Sequence, residues 1–192
     1  QGTMVDDGTE FTDFGWGWNC PTQDLVNAYA PGDPRLDISI IADGDTIEVI
    51  SKVDEPDRMK RLAIALPGEQ SPTGFNHRKY EYNLDESGSD FSEGALDIKV
   101  IRFADVLLWG AEAHLKSGGN SGTALDYVNR VRTRARQITT PEAAEPADLS
   151  SLSLEQLYEE RRLELAFESH RFFDLRRWGL LDQKLDGMDV RE

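Results

Sequence analysis

Residues 160–179 read ERRLELAFESHRFFDLRRWG. Arginines stand side by side at 161–162 and 176–177, and glutamates recur at 160, 164 and 168. Just upstream, Leu154, Leu157 and Tyr158 set a helical stripe that Arg161 enters and Leu165 continues. Periodicity therefore assigns an arginine to the core. Glu160, Glu164 and Glu168, spaced four apart, line one helix face, where like charges repel unless cations interleave. Ser153 is the expected N-cap, with Gln156 completing a capping box, and the helix is expected to run from Leu154 to about Glu168. Arg161 reaches Glu164 at i+3, and Arg171 reaches Glu168 in the same way.

The residues before this stretch supply further partners. In IKVIRFADVLLWGAEAHLKSG (98–118), apolar residues fall at Val100, Phe103, Ala104, Leu107, Leu108, Ala111 and Leu115, a core-facing helical pattern. Ser117-Gly118-Gly119-Asn120 turns the chain. SGTALDYVNRVRTRARQ (121–137) then repeats the pattern at Ala124, Leu125, Val128, Val131 and Ala135. Two such helices joined by a short loop make an antiparallel hairpin of roughly 38 residues, close to a tetratricopeptide-like unit. Asp105 and Glu112 lie on or beside the first stripe, and Arg132 and Arg136 on the second helix. Arg161, Arg162, Glu164, Glu168, Arg171, Asp105 and Glu112 are expected to form a partly buried ion-pair network tying the helices together. A buried guanidinium must be paired and hydrogen-bonded, and its planar fork suits two carboxylates. The competing reading is catalysis, with two carboxylates acting as acid and base in glycoside hydrolysis. Nearly every carboxylate here has an arginine within helical reach, which lowers its pKa and removes the raised-pKa acid which that reaction needs.

Residues 1–98 differ in texture, being rich in Gly, Pro, Asp and Thr. Pro21–Tyr29 reads as a short helix. Leu36–Ile50 reads as a β-hairpin, with β-branched residues flanking Asp43-Gly44-Asp45. Arg78–Leu84 alternates weakly and reads as a further strand, and Asp85–Gly94 as an exposed loop.

Composition narrows the function. The chain has 192 residues and a formal net charge of −15. That length suits one domain with a sizeable core. The charge repels nucleic acid and anionic lipid, whereas a neutral ligand such as a sugar meets no such repulsion. No apolar run approaches the ~20 residues that span a bilayer. Gln1 is an unusual first residue, and no signal peptide is visible, so the chain reads as a mature piece or an internal fragment. Cys20 is the sole cysteine; it excludes an internal disulfide and reads as a small buried filler. His77, His114 and His170 lack zinc-ligand spacing, and the acidic loops at Asp43/Asp45 and Asp85/Glu86/Asp90 lack an EF-hand pattern. Neither a metal nor a cofactor is expected.

The richest candidate for binding chemistry is FTDFGWGWNC (11–20). Its glycines allow sharp turns that present alternate rings outward. Phe14, Trp16 and Trp18 would offer flat apolar faces to a sugar ring, and Asn19 an amide to its hydroxyls. The other reading is that the tryptophans pack under the loops as core.

IRFADVLLWGAEAHLKSG, ALDYVNRVRTRA and ERRLELAFESHRFFDLRRWG, in that order, together with NCPTQDLVNAY and GDPRLDISI, resemble the SusD/RagB family of Bacteroidetes outer-membrane nutrient-binding lipoproteins. The resemblance covers about residues 15–50 and 98–179. It implies a mainly α fold, a tetratricopeptide-like helical hairpin plus a loop-rich segment with a small β-hairpin. Residues 1–192 then form part of a single SusD-like domain, 1–98 on the ligand side and 99–192 helical. The resemblance also implies binding of an oligosaccharide or polysaccharide at the cell surface, delivery to a TonB-dependent SusC-like transporter, and no catalysis. Attachment to the outer membrane would come only through an amino-terminal lipid anchor that this chain does not carry. Family members are much longer; Trp109 stands where they more often have a smaller or more flexible apolar residue, and Ser169 where they usually have glycine. Two other readings are open: a helical-hairpin module that binds a protein, and a glycoside hydrolase.

Overall fold

The computed structural model describes residues 19–50, 60–64, 71–79 and 99–186. The chain divides into two compact units, residues 1–98 with 135–146, and residues 99–134 with 147–192.

In the first unit, α1 (Gln23–Ala28) starts at Thr22, whose hydroxyl accepts the Leu25 N–H. α2 (Pro34–Ser39) has Asp33 as N-cap and proline in its first turn, where the missing N–H costs nothing. The Asp33 carboxylate accepts the Arg35 N–H at 3.0 Å and the Arg35 guanidinium at 2.7 Å, with both side chains buried. Four short strands follow: β1 (Ile40–Ala42), β2 (Thr46–Ile50), β3 (Lys60–Ile64) and β4 (Phe75–His77). β1 pairs antiparallel with β4, Ile40 opposite His77 and Ala42 opposite Phe75; β2 pairs antiparallel with β3, Thr46 opposite Ile64.

The expected Leu36–Ile50 hairpin is therefore corrected. Its turn exists: Gly44 has φ 90°, the Asp45 N–H donates to the Ala42 carbonyl at 3.2 Å, and Asp45 Oδ2 accepts the Ala42 N–H at 2.8 Å. Its two arms pair with distant strands instead of each other, and Leu36–Ser39 is helical because Asp33-Pro34 starts a helix there. Cys20 is half-buried, not buried. The strand expected over Arg78–Leu84 and the loop over Asp85–Gly94 fall almost wholly outside the described residues.

The second unit is built on the helical hairpin. α3 (Phe103–Lys116) ends at Ser117 and a left-handed Gly118, φ 69°. α4 (Ser121–Arg136) begins where Asn120 Oδ1 accepts the Thr123 N–H. Leu107, Leu108 and Ala111 of α3 meet Ala124, Val128 and Val131 of α4, and Leu157 and Leu165 complete the cluster. Burial at this density makes Leu108→Ala cost about 2–5 kcal/mol. The upper end of the first stripe departs from expectation: Val100 is 72% exposed and Phe103 64%. Val100 precedes the helix, and Phe103, its first residue, lies on the outer side of α3.

Asn129 clasps the linker after α4, donating to the Leu149 carbonyl at 3.0 Å and accepting the Leu149 N–H at 2.8 Å. α5 (Leu154–Glu164) opens with the Ser153–Gln156 capping box. It stops four residues earlier than the pattern of glutamates suggests, because Phe167 and Ser169 take positive φ, 65° and 63°, and turn the chain into α6 (Arg171–Trp178). Gly179, φ 71°, caps α6, and α7 (Leu181–Leu185) follows. No helix among the described residues is long and apolar enough to cross a membrane.

Candidate functional site

Arg161, on the inner face of α5, is 1% exposed. Its Nη1 donates to Asp105 Oδ1 of α3 at 2.8 Å. Its Nε and Nη2 form a fork on the Asp174 carboxylate of α6, at 3.0 and 3.1 Å. Asp174 also accepts from Arg177 Nε at 2.9 Å, and Arg177 in turn forks onto Glu112 of α3 with two bonds of 2.7 Å. Lys116 Nζ and Trp178 Nε1 reach the same Glu112 oxygen at 2.8 and 2.9 Å. Opposite charges thus alternate from Asp105 through Arg161, Asp174 and Arg177 to Glu112, so α3 is tied twice to the α5–α6 corner. The remaining Asp105 oxygen, fully buried, has His170 Nε2 at 3.8 Å.

Two further clusters flank this chain of charges. Arg102, just before α3, donates to Glu164 Oε1 and the Glu164 carbonyl, both at 2.6 Å. It also forks onto Glu168 at 2.7 and 2.8 Å. Arg132 of α4 pairs with Glu160 and donates to the Ala147 carbonyl at 2.7 Å. The three glutamates of one face are therefore all buried, each against a cation from another element.

The electrostatics follow from that geometry. Burial works to push the Glu112 carboxyl up, but hydrogen bonds from Arg177, Lys116 and Trp178 outweigh it and lower its pKa to about 2. Burial works to lower the pKa of Arg102, and its bonds to Glu168 and Glu164 reverse this and raise it. Arg177 is raised by Glu112 and Asp174 against the same opposing burial. Such groups hold their charges and are not poised to exchange protons at neutral pH.

Pairs three residues apart form between Asp174 and Arg177 and between Glu159 and Arg162, but the bonds that join the elements span longer separations. Arg161 bonds Asp105 and Asp174 rather than Glu164, and both oxygens of Glu168 accept from Arg102, with Arg171 half-buried at the start of α6. Arg162 donates to the half-buried Glu159 at 3.0 Å. Arg102, Asp174 and Arg177 stand outside the set expected from sequence. Their signal was present as charges beside apolar stripe positions, but crossing geometry decides which of them meet.

Of the expected sugar platform, Phe14, Trp16 and Trp18 lie outside the described residues. Asn19 is exposed in the left-handed region at φ 58°, which asparagine tolerates. Elsewhere, Tyr158 stacks on Trp178 with ring centroids 3.7 Å apart, and Arg177 lies 4.8 Å from the Trp178 ring. Among the described residues, no three His, Cys, Asp or Glu side chains group as metal ligands do.

The SusD family profile matches residues 5–192. SusD-like protein P25 of Formosa agariphila is 36% identical over 110 residues, which cover 57% of this chain and 20% of that protein. SusD-like protein P2 of the same organism is 35% identical over 104 residues, 52% of this chain and 20% of that protein. Among solved structures, a laminarin-binding SusD-like protein superposes with a TM-score of 0.61 at 27% identity, over 93% of this chain and 34% of its own. A SusD superfamily protein from Bacteroides vulgatus gives 0.53 at 26% identity, over 89% of this chain and 36% of its own. The chain spans about a fifth of the curated relatives' length and about a third of the solved ones.

Proposed function

The chain belongs to the SusD family, and on that premise we propose that it binds a glycan at the bacterial cell surface and serves delivery of that glycan to a TonB-dependent, SusC-like outer-membrane transporter. The observation that carries the reading is the match over residues 5–192, joined by similarity to a solved laminarin-binding member over 93% of the chain. The ligand is a neutral oligosaccharide or polysaccharide, which the net charge of −15 does not repel. Recognition falls to Phe14, Trp16, Trp18 and Asn19, where apolar rings and an amide stand close in sequence. The protein acts at the outer face of the outer membrane, held there by a lipid anchor in a longer chain.

The reaction class is binding without chemistry. Among the described residues of the helical unit, the buried carboxylates Asp105, Glu112, Glu160, Glu164, Glu168 and Asp174 each accept from an arginine, whereas glycoside hydrolysis needs one acid kept protonated. The network's role is to hold α3, α5 and α6 in register.

Isothermal titration of the chain against a glycan panel that includes laminarin tests the binding, with reducing-end release followed in parallel. Saturable heat with at least one glycan and no release is expected. Release that a single Glu→Gln change abolishes would replace the reading with a hydrolase. Delivery is tested separately, by co-purification of the protein with a SusC-like transporter from outer membranes.

A further inference from the structure

Asp105 holds Arg161 through Oδ1, and its Oδ2 is buried with no hydrogen-bond partner among the described residues. A carboxylate oxygen sealed from water and left unpaired is costly, so it is a strong acceptor for any donor that comes within reach. His170 Nε2 lies 3.8 Å from it, within ion-pair range but too far for a hydrogen bond. The His170 side chain is 21% exposed and Asp105 0%, so solvent protons reach the ring while the acceptor stays dry. His170 also follows directly on Phe167 and Ser169, whose positive φ holds the α5–α6 corner in a costly backbone shape. We propose that the pair is a proton-operated latch: charged His170 closes onto Asp105 Oδ2 and pins the α5–α6 corner to α3, and loss of the proton near neutral pH releases it.

The charges around the ring decide the sign. Asp105 of α3 favours a cation. So do Glu168, two residues earlier in the corner, and Asp174 of α6, whose N–H donates to the His170 carbonyl at 3.0 Å. Arg161 of α5 opposes it, as do Arg171, next in the chain, and the amino-terminal end of α6. Arg161 commits Nε and Nη2 to Asp174 and Nη1 to Asp105 Oδ1, so two carboxylates answer its charge. Asp105 Oδ2 is answered by none of these bonds. The nearby opposite charge therefore prevails, at the short range of a charge-assisted hydrogen bond. A group that gains a partner on taking up a proton binds that proton better folded than unfolded. The latch thus contributes in full at acidic pH, and its contribution is lost as pH rises through the imidazole range.

Urea unfolding of the full chain and of His170→Gln, at pH about 5.5 and about 8, tests the latch. Glutamine keeps an N–H donor but takes up no proton. Wild type should exceed the variant in stability by more at the lower pH, the ratio of their unfolding constants changing at least about threefold. His77 and His114 titrate in both proteins and cancel. The same comparison in an Asp105→Asn background should lose its pH dependence, because the charged acceptor is gone. A difference that is constant with pH, or larger at about pH 8, overturns the proposal, and so does a pH dependence that survives Asp105→Asn. If Asp105→Asn fails to fold, the first comparison decides alone.

Discussion

Arg161 of α5 and Asp105 of α3 share a 2.8 Å hydrogen bond in which both side chains are shut off from water, at 1% and 0% exposure. Removing the guanidinium strands Asp105 as a buried charge and leaves Asp174 with only its bond from Arg177 among those the two arginines supply. Arg161→Ala should therefore cost about 3–5 kcal/mol of unfolding free energy in urea. Arg162→Ala, which loses a pairing with half-buried Glu159 of α5, should cost clearly less than Arg161→Ala. Equal losses for the two would contradict the assignment of Arg161 alone to the interior.

Arg102 bridges two glutamates and a carbonyl with four bonds from one planar group. An ammonium offers three donors from a single point and cannot fork onto Glu168 while holding Glu164. Arg102→Lys should lower stability by about 1–3 kcal/mol although charge is kept. A variant that unfolds at the wild-type urea midpoint would show that fork geometry is dispensable there.

Glu112 makes stability depend on acid. Its pKa falls from 4.5 to about 2 on folding, so its contribution is complete above about 4.5 and fades as pH drops toward about 2. Its partners Arg177 and Lys116 are 39% and 43% exposed, and solvent screening trims the contribution to about 1–2 kcal/mol. The stability gap between wild type and Glu112→Gln should narrow steadily from pH 5 to pH 2. A constant gap across that range would remove the carboxylate's charge from the explanation.

Local signals were readable and crossings were not. The capping box at Ser153–Gln156, the Ser117–Asn120 turn and the intruding Arg161 depend on residues within four positions of each other, and periodicity exposes them. The partners of Arg161 lie 56 and 13 residues away, so helix packing selects them, and one sequence carries no record of that packing. The Leu36–Ile50 stretch fails for a related reason. Its β-branched residues suit a strand, but Asp33-Pro34 is a helix start that overrides them, and the turn at Gly44 says nothing about which strand each arm will join. The early end of α5 is set by Phe167 and Ser169 at positive φ, a conformation that neither residue type announces.

That position gives a prediction of its own. Ser169 sits at φ 63°, where a Cβ crowds the following carbonyl. Ser169→Gly removes the strain of about 1–2 kcal/mol and costs part of it back in unfolded-chain entropy. The variant should gain about 0.5–1 kcal/mol in thermal unfolding, and a loss of stability would mean that the serine hydroxyl matters more than the backbone.

Glycan binding through the aromatic stretch is the central claim, and one paired measurement tests it most directly. Wild type, Trp16→Ala and Trp18→Ala are titrated with the best glycan of the panel, and each is melted in the same buffer. The account predicts that at least one variant binds about tenfold more weakly, a loss of about 1–2 kcal/mol, at an unchanged melting temperature. Both variants melting far lower while the folded fraction binds at full affinity, or a folded wild type that binds no glycan at all, would contradict it.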